Sequence, residues 1–289
     1  MPRSYTHGIY GDDKSFAGLG NGNTIASLTR VNVVEMYVDF VHGQDVLKGV
    51  FGDWKVNVVG GSAGVNWSII ENSRNGLAAL NSGDTAARGY EACMWDATAG
   101  AGEFLVPSDS KWITYVTKVG KSDADTSAMF AGLASGAATV LGTDGDFVAT
   151  DYAGFYTPID SDALMFRSAR SSGSEASSYD MGITLTDGEL VVVGFRIEVR
   201  DISDDADNGA IRLFKMKSGF DVSGQVPTFR SDQDPGPLGR WIELDDAPAT
   251  TLNAIPNDSI SPCYSIVNNA TATDTLLYVD SLYCSTLRA

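Results

Sequence analysis

The sequence predicts an all-β fold, an antiparallel β-sandwich or jelly roll, and three observations predict it. Short runs in which apolar and polar side chains alternate recur from Val33 to the C-terminus. Turn-forming residues separate them: Asp144-Gly145, Asp187-Gly188, Asn208-Gly209, Ser218-Gly219 and the Asp234-Pro235-Gly236-Pro237 segment all stand where a strand should reverse. No internal repeat of fixed period is visible, which disfavours a propeller or β-helix. At 289 residues one large domain buries roughly three quarters of the surface its unfolded chain exposes, so a core can hold it without staples.

Residues 1–30 carry Gly8, Gly11, Gly18, Gly20 and Gly22 among Ser, Asn and Asp, with Tyr5, Tyr10 and Phe16 scattered between them. Neither a helical nor a strand period runs through this stretch, and it reads as an extended N-terminal arm suited to docking on a neighbouring subunit. Residues 31–289 read as the sandwich domain. Val34, Met36, Val38 and Phe40 face one way while Val33, Glu35, Tyr37 and Asp39 face the other, and Trp54, Val56 and Val58 alternate with Asp53, Lys55 and Asn57. Further strands are expected over 65–71, 77–81, 102–106, 111–119, 126–133, 137–141, 163–170, 178–185, 189–200, 210–217, 239–244, 260–267 and 274–287. In 189–200, Phe195, Ile197 and Val199 alternate with Arg196, Glu198 and Arg200, which predicts one wet face. Leu276, Leu277, Tyr278 and Val279 are apolar on both faces and predict a central strand. One helix is expected over 84–95, with Asp84 as its cap and Ala87, Tyr90 and Met94 on one face, weakened by Gly89.

The formal net charge is −17, from 37 acidic against 20 basic residues. No Lys/Arg stripe is present to neutralise a run of phosphates, so nucleic acid is not an expected partner, and the acidity favours partners with basic patches. Met1-Pro2-Arg3-Ser4-Tyr5 opens without an apolar leader region, and no stretch approaches the ~20 apolar residues of a membrane span. The expectation is a chain made in a cytoplasm, with no membrane partner. Cys93, Cys263 and Cys284 are odd in number and widely spaced, and they read as buried free thiols; Cys263 and Cys284 fall in neighbouring strand candidates and are the pair expected to come close.

The chemistry-bearing residues are few. His7 and His42 lack a GxSxG or cysteine context and read as solvated or structural. Sandwich glycosidases place two carboxyls about 5–5.5 Å apart on one strand face for retaining hydrolysis, and no E-x-D-x-x-E pattern is present; Glu198, between Arg196 and Arg200, reads as a surface ion pair. The run Asp201-Ile202-Ser203-Asp204-Asp205-Ala206-Asp207-Asn208-Gly209 offers oxygens for a hard cation but misses the calcium-loop spacing. Asp201, Asp205 and Asp207 are therefore a weak calcium candidate against a solvated turn, and Asp144, Asp146 and Asp151 are a weaker one. Of the tryptophans Trp54, Trp67, Trp95, Trp112 and Trp241, Trp54 and Trp112 read as core and Trp241 as nearest the surface.

Several features recur in a familiar order. Trp112-Ile113-Thr114-Tyr115-Val116 precedes Met129-Phe130-Ala131-Gly132-Leu133, then Asp144-Gly145-Asp146-Phe147 and Ala163-Leu164-Met165-Phe166; Gly188-Glu189-Leu190 leads into a long strand, and Asn253-Ala254-Ile255-Pro256 leads to a finish at Leu277-Tyr278-Val279-Asp280-Ser281-Leu282. From Trp54 onward this order resembles the concanavalin A-like (lectin/glucanase, LamG-like) β-sandwich of many virion structural proteins of tailed bacteriophages. The likeness lies in strand order and turn placement, not in an invariant motif. It implies a capsid decoration (cement) protein on the virion exterior, a homotrimer partnered by itself and the major capsid protein. The alternative it implies is a carbohydrate- or receptor-binding module of a head or tail fibre. No catalytic residue and no cofactor is expected, calcium excepted, and the chain is expected not to be an enzyme.

Overall fold

Alternation with a period of two governs the chain, and it builds two sheets. The structure is a computed structural model that describes residues 33–39, 50–51, 54–60, 67–70, 77–94, 110–135, 139–170, 175–200, 209–216, 241–244, 254–268 and 274–288. The first sheet runs in spatial order β14 (Trp241–Glu243), β13 (Gly209–Met216), β12 (Val191–Val199), β7 (Ser110–Lys121), β16 (Leu276–Arg288), β5 (Leu77–Asn81) and β4 (Trp67–Ile70), with β1 (Val33–Asp39) also paired to β16. The second runs β11 (Glu175–Thr184), β10 (Ala163–Arg170), β9 (Tyr152–Thr157), β8 (Ser127–Ala134), β15 (Ser261–Asn268), β6 (Gly89–Cys93), β3 (Trp54–Val59) and β2 (Val50–Phe51). Every pairing among them is antiparallel. The all-β antiparallel sandwich is as the sequence predicts. No helix occurs among the described residues.

The core lies between the sheets. Phe195 of the first sheet enters between Phe155 and Phe166 of the second, with ring centroids 5.8 and 5.3 Å away, and stacks on Tyr115 at 5.1 Å. These tilted and offset contacts suit the ring quadrupoles, adding roughly 0.5–1.5 kcal/mol per pair beyond area burial. Trp54 packs on Tyr264 at 5.5 Å, and the Tyr264 hydroxyl shares a 3.0 Å hydrogen bond with Thr117 Oγ1 of the opposite sheet. β16 is central as expected: its first residues pair with β5, its later ones with β1, and its other edge along most of its length with β7.

Three expectations are corrected, and one strand is added. Residues 84–94 of the expected helix do not form one; 89–93 are β6, clamped between β3 and β15, with Tyr90, Ala92 and Met94 packed inward. Gly89 fits there because a Cβ would strike the Ile266 carbonyl of β15. Residues 139–150 form a loop over the second sheet, so the described part of the expected 137–141 strand, 139–141, is not a strand: Val140 and Leu141 are both buried in succession and Gly145 turns the chain at φ +77°. β9 escapes sequence reading because Tyr152 to Phe155 are buried without interruption. The wet face expected of β12 is not wet at Arg196, which is 3% exposed with its guanidinium 4.8 Å from the Trp112 ring centroid. The expected arm, residues 1–30, the strand at 102–106, and both histidines lie outside the described residues.

Replacing Phe195 with Ala removes the ring that joins the two sheets and should cost about 3–5 kcal/mol. Val148→Ala, at a side chain 48% exposed, should cost less than about 0.5 kcal/mol. Urea midpoints of the two variants, compared with the parent, check both.

Candidate functional site

The described polar chemistry concentrates on the outer face of the second sheet. Strand alternation turns Asn57, Glu91, Cys93, Phe130, Gly132, Gly154, Cys263 and Ser265 to this side, away from the Phe155 and Tyr264 layer. Register places Asn57, Glu91, Ser265 and Phe130 in one row, and Cys93, Cys263, Gly132 and Gly154 in the next. The Phe130 ring crosses the two facing glycines, where a Cβ would come within 2.8 Å of it at Gly132 and 2.7 Å at Gly154. The loop 139–150 covers these rows, burying Val140, Leu141 and Ala149 against Cys93, Phe130, Tyr152 and Cys263.

Glu91 is wholly buried. One carboxyl oxygen accepts the Val140 N–H and the other accepts the Asn57 amide at 3.4 Å. Burial dominates these two donors and pushes the carboxyl from 4.5 up to about 8. Cys93 and Cys263, directly opposite in register with Cα atoms 4.3 Å apart, are joined by a disulfide. This corrects the free-thiol expectation, and it also corrects the expected approach of Cys263 to Cys284. Cys263 points outward from the second sheet, whereas Cys284 sits unpaired in the core. Burial raises the Cys284 thiol above its ordinary range.

At the open end of this face Phe147 stacks on Tyr152 at 4.3 Å, meets Tyr156 edge-on at 5.1 Å, and carries the Arg167 guanidinium 4.8 Å from its centroid. Phe147, Tyr156 and Arg167 are half-buried, and Asp144 and Asp146 are exposed beside them along the loop. The result is a partly open aromatic, cationic and acidic rim.

The outer face of the first sheet carries a second polar array. Arg212 donates through Nε and Nη2 to the two oxygens of Glu243, and its Nη1 lies 3.5 Å from Glu198. Glu198 is thus held in an ion pair, with Arg212 of the neighbouring strand and Arg196 at 3.8 Å on its own. Trp112, expected in the core, lies half-buried on this outer face, because its neighbour Ile113 takes the inward position.

At one end of the sandwich the buried Lys121 ammonium donates to Ser127 O at 2.8 Å and Thr157 Oγ1 at 3.0 Å, tying β7 to β8 and β9. Burial lowers it to about 8, against the opposing fields of Asp123, Asp125, Asp162 and Asp187.

The calcium candidates fare differently. Asp201, Asp205 and Asp207 lie outside the described residues, as does Trp95. Asp144, Asp146 and Asp151 do not converge: Asp144 Oδ1 accepts the Asp146 N–H at 3.1 Å, while Asp151 is buried and accepts the Asn257 N–H at 2.8 Å. Among the described residues one group of potential metal ligands does converge, Glu91 with Cys93 and Cys263. Sequence reasoning missed it. The alternation of Glu91 with Tyr90 and Ala92 was the available signal, obscured by the helical reading of the same stretch.

No family model matches the chain, and no curated protein does. Solved structures do. The chain resembles a protein of unknown function from Shewanella oneidensis MR-1, at 13% identity, over 89% of this chain and 87% of that one, with a TM-score of 0.50. It also resembles arcelin-5, a lectin-like defense protein from Phaseolus vulgaris, at 13% identity, over 88% and 99%, with a TM-score of 0.49. The fold is an all-β sandwich of two antiparallel sheets. The expectation that the chain is not an enzyme is withdrawn. An endo-1,3-beta-glucanase from Streptomyces sioyaensis is also among the similar structures, at 12% identity, over 88% and 96%, with a TM-score of 0.46. At that identity the likeness is one of fold and carries no activity with it.

A carboxyl whose pKa rises on folding holds its proton more tightly in the folded chain. The stability contributed by Glu91 is therefore full below pH 4.5 and lost as the pH rises through about 8. In the oxidised protein, Glu91→Gln should remove a pH-dependent component on the order of 4 kcal/mol across that window. Urea unfolding of parent and variant at pH 5 and pH 8 reads the difference.

Proposed function

We propose that this chain is a virion structural protein of a tailed bacteriophage, a decoration protein of the head exterior that assembles with itself and docks on the major capsid protein. The observation that carries the reading is the edge strand β11. It closes one side of the second sheet and pairs only with β10 among the described residues. Its outward side chains Ala176, Ser178, Asp180, Gly182 and Thr184 are exposed and mostly small. Its register with β10 is regular from Glu175 to Asp180 and breaks only beyond it. Edges left this regular and this lightly charged template strand addition. A ring of three requires that β11 meet a different surface of the next copy, whereas a twofold contact would pair β11 with itself. The expected arm, residues 1–30, supplies reach to a neighbour, and the net charge of −17 favours a basic docking surface.

A second reading has its own observation. The half-exposed Phe147, Tyr156 and Arg167, beside Asp144 and Asp146, put aromatic surface next to hydrogen-bonding groups. That combination suits a saccharide, whose apolar ring face stacks on aromatics while its hydroxyls need polar partners. This is the carbohydrate- or receptor-binding module of a fibre.

Light scattering decides between them. The first reading predicts a multiple of the 30.6 kDa chain mass that persists on dilution and falls to the monomer in Ala176→Lys/Ser178→Lys. A monomer throughout, with glycan-array binding lost at least tenfold in Phe147→Ala, replaces it with the second.

A further inference from the structure

A carboxyl and two sulfurs meet on the outer face of the second sheet where the apolar packing around them has no need of them. Glu91 and Cys93 are successive outward residues of β6, and Cys263 stands opposite Cys93 on β15. One oxygen of Glu91 and the two Sγ atoms all lie within 4.8 Å of one another, and all three residues are fully buried. Directly across from Glu91, one outward step along β15 from Cys263, the Ser265 hydroxyl is fully buried and has no hydrogen-bond partner among the described residues. A buried hydroxyl left unmatched is destabilising, and here it faces three potential metal donors.

We propose that reduction of the Cys93–Cys263 disulfide converts this cluster into a binding site for a thiophilic divalent cation of the zinc class, held by Cys93, Cys263 and Glu91 with the Ser265 hydroxyl beside them. Two thiolates and a carboxylate are a donor set that zinc takes in tetrahedral geometry, and calcium and magnesium do not. Adjacent strands in fixed register hold the donors together before the ion arrives, and Asn57 and the Val140 N–H orient the carboxylate from behind.

The exchange balances. A dithiol reductant gives two electrons and two protons, cleaving the S–S bond to two thiols and leaving as its own cyclic disulfide. The cation then replaces both thiol protons and the proton of the Glu91 carboxyl, which pass to solvent, so that M²⁺, two RSH and one RCOOH give M(SR)₂(O₂CR)⁻ and three H⁺. Disulfide and bound ion exclude each other, because the same two sulfurs make both.

The test uses the full chain carrying Cys284→Ala, so that only the two thiols of interest remain. One portion is purified anaerobically with a phosphine reductant, and the other is oxidised. Each is titrated with Co²⁺, with near-ultraviolet circular dichroism to report folding. The reduced protein should take up one equivalent, with a sulfur-to-cobalt charge-transfer band and tetrahedral visible bands that Zn²⁺ abolishes. The oxidised protein should show neither. Cys263→Ser should lose the charge-transfer band, and Glu91→Gln should weaken binding about tenfold or more. The inference is overturned if the folded reduced protein shows no charge-transfer band, if the oxidised protein shows an equal one, or if Glu91→Gln binds as tightly as its parent. A reduced chain that stays unfolded with and without the cation overturns it as well.

Discussion

The structure depends on burying the middle strands of its second sheet on both sides. One face meets the Phe195 and Tyr115 layer of the first sheet, and the other is sealed by the loop 139–150. Every residue of β8 and β15 is buried as a result. A strand covered on both faces must satisfy packing above and below. That is why Gly132 and Gly154 face each other under the Phe130 ring, where any side chain would collide. It is also why polar groups placed on the outer face, Glu91 first among them, lose their solvent and take their properties from neighbours.

That constraint separates what the sequence discloses from what it hides. Strands whose outer face carries polar residues, such as Arg196 and Glu198 beside Phe195 and Ile197, announce themselves by alternation even where that face is covered. Those apolar on both faces read as continuous runs. For Leu276 to Val279 such a run correctly marks a central strand, whereas in Tyr152 to Phe155 it carries no polar residue to set the period and passes unnoticed. The stretch around Glu91 fails for a different reason: Asp84, Ala87, Tyr90 and Met94 fit a helical spacing locally, and only pairing with β3 and β15, distant in sequence, makes it a strand. The cysteine pairing was hidden in the same way. Cys93 and Cys263 are separated by 170 residues, and nothing local to either selects the other over Cys284.

The two outer faces treat charge differently. On the first sheet, Arg212 is shared between Glu243 and Glu198, so each carboxylate has a guanidinium partner. On the second sheet the donors to Glu91 among the described residues are neutral, the Val140 N–H and the Asn57 amide. A buried carboxyl without a cation keeps its proton at the cost of its charge. The first arrangement fits a face that holds strands in register, and the second leaves a reactive cluster beside a partly open aromatic rim.

The register of β6, β15 and β8 is the claim from which the covered face, the cluster and the paired glycines all follow. Peptide mapping of the non-reduced protein after mild oxidation tests it most directly. The account predicts a cross-linked peptide pair containing Cys93 and Cys263, with Cys284 recovered as a free thiol. A linkage of Cys263 to Cys284, or three thiols that all survive oxidation free, would contradict it.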